Sequence, residues 1–218
     1  MGRRFKKNKI ITAFVKITAS PALLILKPKF YYMTENSPKK LPKPCILISN
    51  HLSLVDMPLY WLHWIFDDLR FLVAEVMFGK NAFMNFLLFN IGCIYVDRNT
   101  YDFSFIGDAL DCLDRGESVG IFPSSRLPVN GVPFPFKPSV AIMALHTDAP
   151  IVPCYTDGNY GFFKRTHVMV GDPIDVKDLC PDASLPENQR ARIITAKLEE
   201  IVKGMGEELD RRLGKGKK

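Results

Sequence analysis

Six short apolar runs alternate with longer amphipathic ones along the body of the chain. Cys45 to Ser49, Phe71 to Ala74, Cys93 to Val96, Val119 to Phe122, Ile151 to Tyr155 and Thr166 to Val170 are brief and rich in branched or aromatic residues, which predicts buried strands. Between them, Leu59 to Phe66, Val76 to Asn90, Phe103 to Arg115 and Pro138 to His146 are predicted helices. In the third, Ile106, Ala109, Leu110 and Leu113 recur at helical spacing and Gly116 supplies the stop. A last helix over Glu187 to Leu209 carries the stripe Ile194, Leu198, Ile201 and Met205. Alternation of this kind predicts an α/β fold: one layered domain with a partly parallel central sheet flanked by helices, and ligands at the strand ends. No internal repeat, Gly-rich phosphate loop or separate linker interrupts it.

The first 40 residues are patterned differently. An apolar stretch from Ile10 to Leu26, interrupted by Lys16, Ser20 and Pro21, is bracketed by basic residues; residues 1 to 40 hold ten Lys or Arg against the single acid Glu35. The whole chain is net +6, so the remainder is net negative. The stretch is too short and too broken to span a bilayer comfortably, and it lacks a small-residue cleavage site. It is expected to be a helical segment lying in the interface of a phospholipid membrane, drawn by about 1 kcal/mol for each cation near an anionic surface. Nucleic acid is the competing partner for such an arm, but the interleaved Leu, Ile and Phe favour lipid; a core helix with a solvated basic face is the third possibility. The basic tail from Arg211 to Lys218 is expected to fray. Residues 1–40 are therefore expected to associate with a membrane, peripheral or monotopic on its cytoplasmic face, and 41–218 to form the layered domain.

Composition adds little beyond this. At 218 residues and 47% hydrophobic, the chain can bury one substantial core. Its five cysteines show neither metal-ligand spacing nor an even count, which points to core thiols in a reducing compartment.

Chemistry concentrates in Ser49-Asn50-His51-Leu52-Ser53-Leu54-Val55-Asp56-Met57-Pro58, where a strand is expected to break into a helix. An imidazole whose far nitrogen is held by a carboxylate keeps one tautomer, so its near nitrogen can take a proton from an attacking hydroxyl. Five residues on a regular helix would put His51 and Asp56 on different faces, so the pair can meet only if the chain turns between them. The plain alternative is that Asp56 caps the helix and His51 is a half-buried loop residue. His63 reads as packing, His146 and His167 have no evident partners, and no second ligand stands at metal spacing from His51.

Asn50-His51-Leu52-Ser53-Leu54-Val55-Asp56 resembles the NHxxxxD signature of the glycerolipid acyltransferases, the PlsC-like lysophosphatidate acyltransferase family, and three blocks follow in that family's order. Gly92-Cys93-Ile94-Tyr95-Val96-Asp97-Arg98 is similar to its second motif, Ile121-Phe122-Pro123-Ser124-Ser125-Arg126 stands where it has Phe-Pro-Glu-Gly followed closely by Arg, and Ala149-Pro150-Ile151-Val152-Pro153-Cys154 is similar to its fourth. The resemblance runs from about Leu41 to Asp175. It implies a membrane-associated enzyme that needs no cofactor and moves a fatty acyl group from acyl-CoA or acyl-carrier protein to lysophosphatidate, with His51 as base and Asp56 orienting it. Arg126, Arg98, Ser124, Ser125 and Lys137 are the candidates to hold the acceptor and its phosphate; surface pairing of Arg98 with Asp97 or Asp102, and simple solvation of Lys137, are the alternatives. Ser124-Ser125 departs from the family's Glu-Gly. The replacement leaves three outcomes open: a shifted acceptor, a weakened enzyme, or a noncatalytic relative.

Overall fold

The structure, a computed structural model, describes residues 7–79, 81–98, 103–161 and 163–215. Arg3, Arg4 and Lys6 of the arm, Asp102 and the last three tail residues lie outside them. Strands β1 (Lys29–Tyr32), β2 (Ile46–Ser49), β3 (Leu69–Ala74), β4 (Ile94–Val96), β5 (Ser118–Ile121), β6 (Ile151–Thr156) and β7 (His167–Val170) form one sheet in the order β1-β7-β6-β2-β5-β3-β4. From β6 to β4 the neighbours are parallel; β7 runs antiparallel to β6, and β1 follows β7.

Helices cover both faces, which is why the central strands read as unbroken apolar runs. They are α1 (Lys9–Ala19), α2 (Pro21–Leu26), α3 (Asp56–His63), α4 (Glu75–Phe78), α5 (Ala82–Asn90), α6 (Ser104–Asp114), α7 (Ser139–Leu145), α8 (Val176–Leu179) and α9 (Glu187–Arg212). Ile46 and Ile48 of β2 face a core built with α6, α7, α8 and α9. Cys45 and Leu47 face the opposite core, with α3 and α5. All five cysteines are free and buried, and burial pushes the thiols of Cys45 and Cys112 up to about 11.

The expected elements recur with shifted ends, and three differences have physical causes. The single helix expected over Val76 to Asn90 is two, because Asn81 is extended and its side chain accepts from the Met84 amide, starting α5 afresh. Lys29–Tyr32, assigned to the arm, is an edge strand of the sheet, so residue 40 is not where the sheet domain begins. Lys16, read as interrupting the apolar stretch, points inward. Its Nζ donates to the carbonyls of Ile65 (2.5 Å) and Asp67 (3.1 Å), and burial brings its pKa down to about 8. Thr12 on the same face donates to Asn90 O, and the opposite face exposes Ile10, Phe14 and Ile17 by 82, 66 and 70%. Lys9–Leu26 is long and apolar enough to cross a membrane by length and composition, yet α1 is tied along the domain.

His63, expected to pack, stacks on Phe30 of β1 with ring centroids 3.4 Å apart. Burial brings its pKa down to about 4, with Asp67 pulling weakly the other way. The unfolded chain, titrating near the ordinary value of about 6.5, therefore binds the extra proton first as pH falls. Stability should decline between those two values, by at most about 1.4 kcal/mol per pH unit and less where water reaches the ring. Urea unfolding at several pH values checks this, and His63→Phe should flatten the slope in that window.

Candidate active site

α3 leaves β2 toward one face of the sheet while α7, after β5, packs on the other. The loops that follow these adjacent parallel strands thus diverge, so their C-terminal ends form the switch point of the strand order, the position at which open α/β sheets form the crevice that takes a ligand. His51 stands on the loop after β2, and Phe122 to Arg126 follow β5.

Asn50 fixes the first loop: its side-chain amide donates to Thr156 O (2.9 Å) and accepts from Thr156 N (2.8 Å), tying the end of β2 to the end of β6. The chain then turns back, and Asp56, fully buried at the start of α3, gathers it. Asp56 Oδ2 accepts from His51 Nδ1 (2.9 Å), Leu52 N (2.7 Å) and Ser53 N (2.8 Å), while Oδ1 accepts from the Tyr160 hydroxyl. No side-chain cap is present on α3, so the helix-cap alternative for Asp56 is set aside. Burial, then the adjacent carboxylate, pushes the Tyr160 phenol far above its ordinary range, which keeps it a donor.

An aromatic column backs the imidazole. His51 stacks on Phe122 (centroids 4.3 Å apart, 14° between planes), and Phe122 stacks on Phe71 (5.6 Å, 17°). Gly120 makes room for that column, since a Cβ there would collide with the Phe71 ring. The His51 side chain stays 15% exposed, and among the described residues its Nε2 has no hydrogen-bond partner. A ring held by its far nitrogen, with the near one open, can take a proton from a hydroxyl brought into the crevice.

The other candidates divide. Arg98 meets Glu75: its Nε lies 3.3 Å and its backbone N 3.2 Å from Glu75 Oε2, and its Nη1 donates to Ser125 O at 3.1 Å. Burial opposes ionisation of Glu75, but these hydrogen bonds outweigh it and hold the carboxyl below its usual range. Arg98 thus braces the turn at Ser125, across the ends of β3, β4 and β5. Arg126 and Lys137 are exposed; Arg126 lies 5.9 Å from the Phe134 ring centre, and the Lys137 amide donates to Pro123 O. Ser124 is buried with its hydroxyl on Arg126 O (3.3 Å). Tyr160 and Glu75 were not anticipated, because neither lies in a motif and Tyr160 is 104 residues from Asp56. His146 and His167, without evident partners in the sequence, lie 3.2 Å from Glu187 and 2.8 Å from Asp157.

Ser125 occupies the family's glycine position with φ +58°, and among the described residues its buried hydroxyl finds no partner. The left-handed backbone costs a non-glycine residue about 1–2 kcal/mol. Ser125→Gly relieves this and the orphaned hydroxyl, against roughly 0.4–1 kcal/mol of added unfolded-state entropy. A net gain of about 1 kcal/mol in chemical denaturation is expected.

Known proteins give the arrangement a context. The acyltransferase family model matches residues 30–157, more than half of the chain. A 1-acyl-sn-glycerol-3-phosphate acyltransferase of Borreliella burgdorferi is 26% identical over 180 residues, 78% of this chain and 68% of its own. One of Bacillus subtilis is 28% identical over 148 residues, 66% of this chain and 71% of its own. The crystal structure of the 1-acyl-sn-glycerophosphate (LPA) acyltransferase PlsC from Thermotoga maritima superposes with a TM-score of 0.63 at 21% identity, covering 92% of this chain and 81% of that one, a likeness of fold.

Proposed function

The chain belongs to the acyltransferase family, and from that premise we propose that it transfers a fatty acyl group from an acyl thioester to the free hydroxyl of 1-acylglycerol 3-phosphate, giving phosphatidate. The observation that carries the reading is the His51–Asp56 pair, held in one tautomer at the mouth of the β2–β5 crevice. His51 Nε2 takes the acceptor proton as the oxygen attacks the thioester carbonyl. Asp56 and the face of Phe122 favour the imidazolium so formed. Collapse of the tetrahedral intermediate expels the thiolate, which recovers the proton.

Arg126 is the phosphate ligand in this scheme, since its guanidinium is exposed beside the crevice loop and can give paired donors. Arg98 supports the turn that presents it, and Lys137 adds a second cation beside Pro123. The intact pair favours turnover over a noncatalytic relative, with Ser124 and Ser125 altering how the acceptor is held. No cofactor enters these steps.

The outer face of α1 suits a lipid interface. With Lys16 turned inward, Ile10, Phe14 and Ile17 form an unbroken apolar stripe, which α2 extends with Leu24 and Ile25. Such a placement makes the enzyme monotopic, and its free, buried thiols favour the cytoplasmic face, in a reducing compartment.

Purified protein, lysophosphatidate and either an acyl-CoA or an acylated carrier protein should give phosphatidate; no product with either donor would overturn the reading. Ile10→Gln, Phe14→Gln and Ile17→Gln together should raise the lipid concentration needed for sedimentation with anionic vesicles by about tenfold or more. Unchanged sedimentation would reject the arm's role.

A further inference from the structure

We propose that the turn through Phe163, Lys164 and Arg165 is a second lipid contact, which seats the mouth of the crevice on an anionic bilayer surface; this rests on the membrane reading above. The three side chains are exposed, Phe163 by 102%. Phe162 lies outside the described residues and plays no part in the proposal.

The base of this turn is fixed. Thr166 Oγ1 donates to Asn159 O (2.9 Å), the Tyr160 amide to Gly158 O (2.9 Å), and Asp157 accepts from the amides of Asn159 (3.1 Å) and His167 (3.0 Å). Two functional elements meet there. On one side the Lys29 amide donates to Thr166 O (2.8 Å), so β1, which follows directly from α2, joins the base to the arm. On the other, Gly158 at φ +66° lies so close to the catalytic loop that a Cβ would fall 2.8 Å from Leu52 Cδ1, and Tyr160 reaches Asp56.

A belt of one chemistry results. Leu24 and Ile25 of α2, the cations Lys27 and Lys29, then Phe163 with Lys164 and Arg165, and finally Leu52 and Leu54 beside His51 are all exposed. Cations interspersed with apolar and aromatic side chains match anionic headgroups over acyl chains, whereas a site for nucleic acid or an acidic protein would not need the aliphatic part. Contact at both ends of the belt would hold the crevice at headgroup level, so that a lysolipid could present its hydroxyl to His51 without leaving the bilayer.

The full chain carrying Phe163→Trp tests this, because the native Trp61 and Trp64 are buried and shielded from lipid. Vesicles of phosphatidylcholine with phosphatidylglycerol should shift the new tryptophan's emission to the blue, and brominated acyl chains should quench it. Adding Lys164→Glu and Arg165→Glu should raise the lipid concentration needed by about tenfold or more. An introduced indole that stays silent in protein that sediments with the same vesicles overturns this proposal and leaves the arm intact. Silence together with failure to sediment overturns both. An equal response to vesicles of phosphatidylcholine alone overturns the proposal as well, since the cations would then contribute nothing.

Discussion

His51→Ala is expected to lower kcat by about a hundred- to ten-thousand-fold, with KM for both substrates changed far less and the fold retained. The expectation follows from where the ring stands. Its Nδ1 is committed to Asp56, one face lies on Phe122, and the remaining nitrogen is open toward the crevice, so alanine removes a proton acceptor and little packing. Activity remaining after the substitution would come from positioning the hydroxyl against the thioester, which the crevice supplies without a base. Single-turnover rates and urea unfolding of the same preparation separate the two effects. A variant that folds normally and turns over at the wild-type rate would mean that another group takes the proton, and the present assignment would have to be abandoned.

The departure at Ser124-Ser125 bears on how much rate there is to lose. Ser125 keeps the left-handed turn that glycine would adopt freely, because Arg98, itself held by Glu75, donates to its carbonyl from the neighbouring strand end. The turn therefore survives the loss of the residue suited to it, and Arg126 is still displayed beside the crevice. What the family's glutamate would contribute to the acceptor is not replaced by Ser124, whose hydroxyl is spent on Arg126 O.

The sequence announced the central strands because each is covered on both faces, leaving short apolar runs with no polar alternation. It announced His51 and Asp56 because a five-residue spacing within a strand-to-helix break is local. What it hid was set by long-range contact. Lys16 reads as a break in an apolar helix until the carbonyls of Ile65 and Asp67 are brought beneath it. Lys29–Tyr32 is four residues in a basic context, and only β7, more than 130 positions away, makes a strand of it. Tyr160 and Glu75 became part of the site through the ends of β6 and β3, and no spacing in the chain could have pointed to them.

Asp56→Ala should be the most damaging single change to both stability and rate, and Asp56→Asn should separate the two. Alanine leaves the amides of Leu52 and Ser53, the Tyr160 hydroxyl and His51 Nδ1 without their acceptor in a buried setting. At about 1–3 kcal/mol for each orphaned group, reduced where the loop can open to water, a loss of several kcal/mol is expected. Asparagine can keep most of the network. Three donors converge on Oδ2, so the amide oxygen belongs there, and Nδ2 then faces Tyr160, whose hydroxyl can turn from donor to acceptor. His51 thereby retains its Nδ1 proton and its orientation, and what is lost is the negative charge opposite the imidazolium. The fold should persist, with kcat down by about ten- to a thousandfold, less than for His51→Ala. Chemical denaturation and kcat measured on both variants check the pattern. An Asp56→Ala protein as stable as wild type would show that Asp56 does not hold the loop, and an Asp56→Asn enzyme of undiminished kcat would remove the carboxylate's charge from the mechanism.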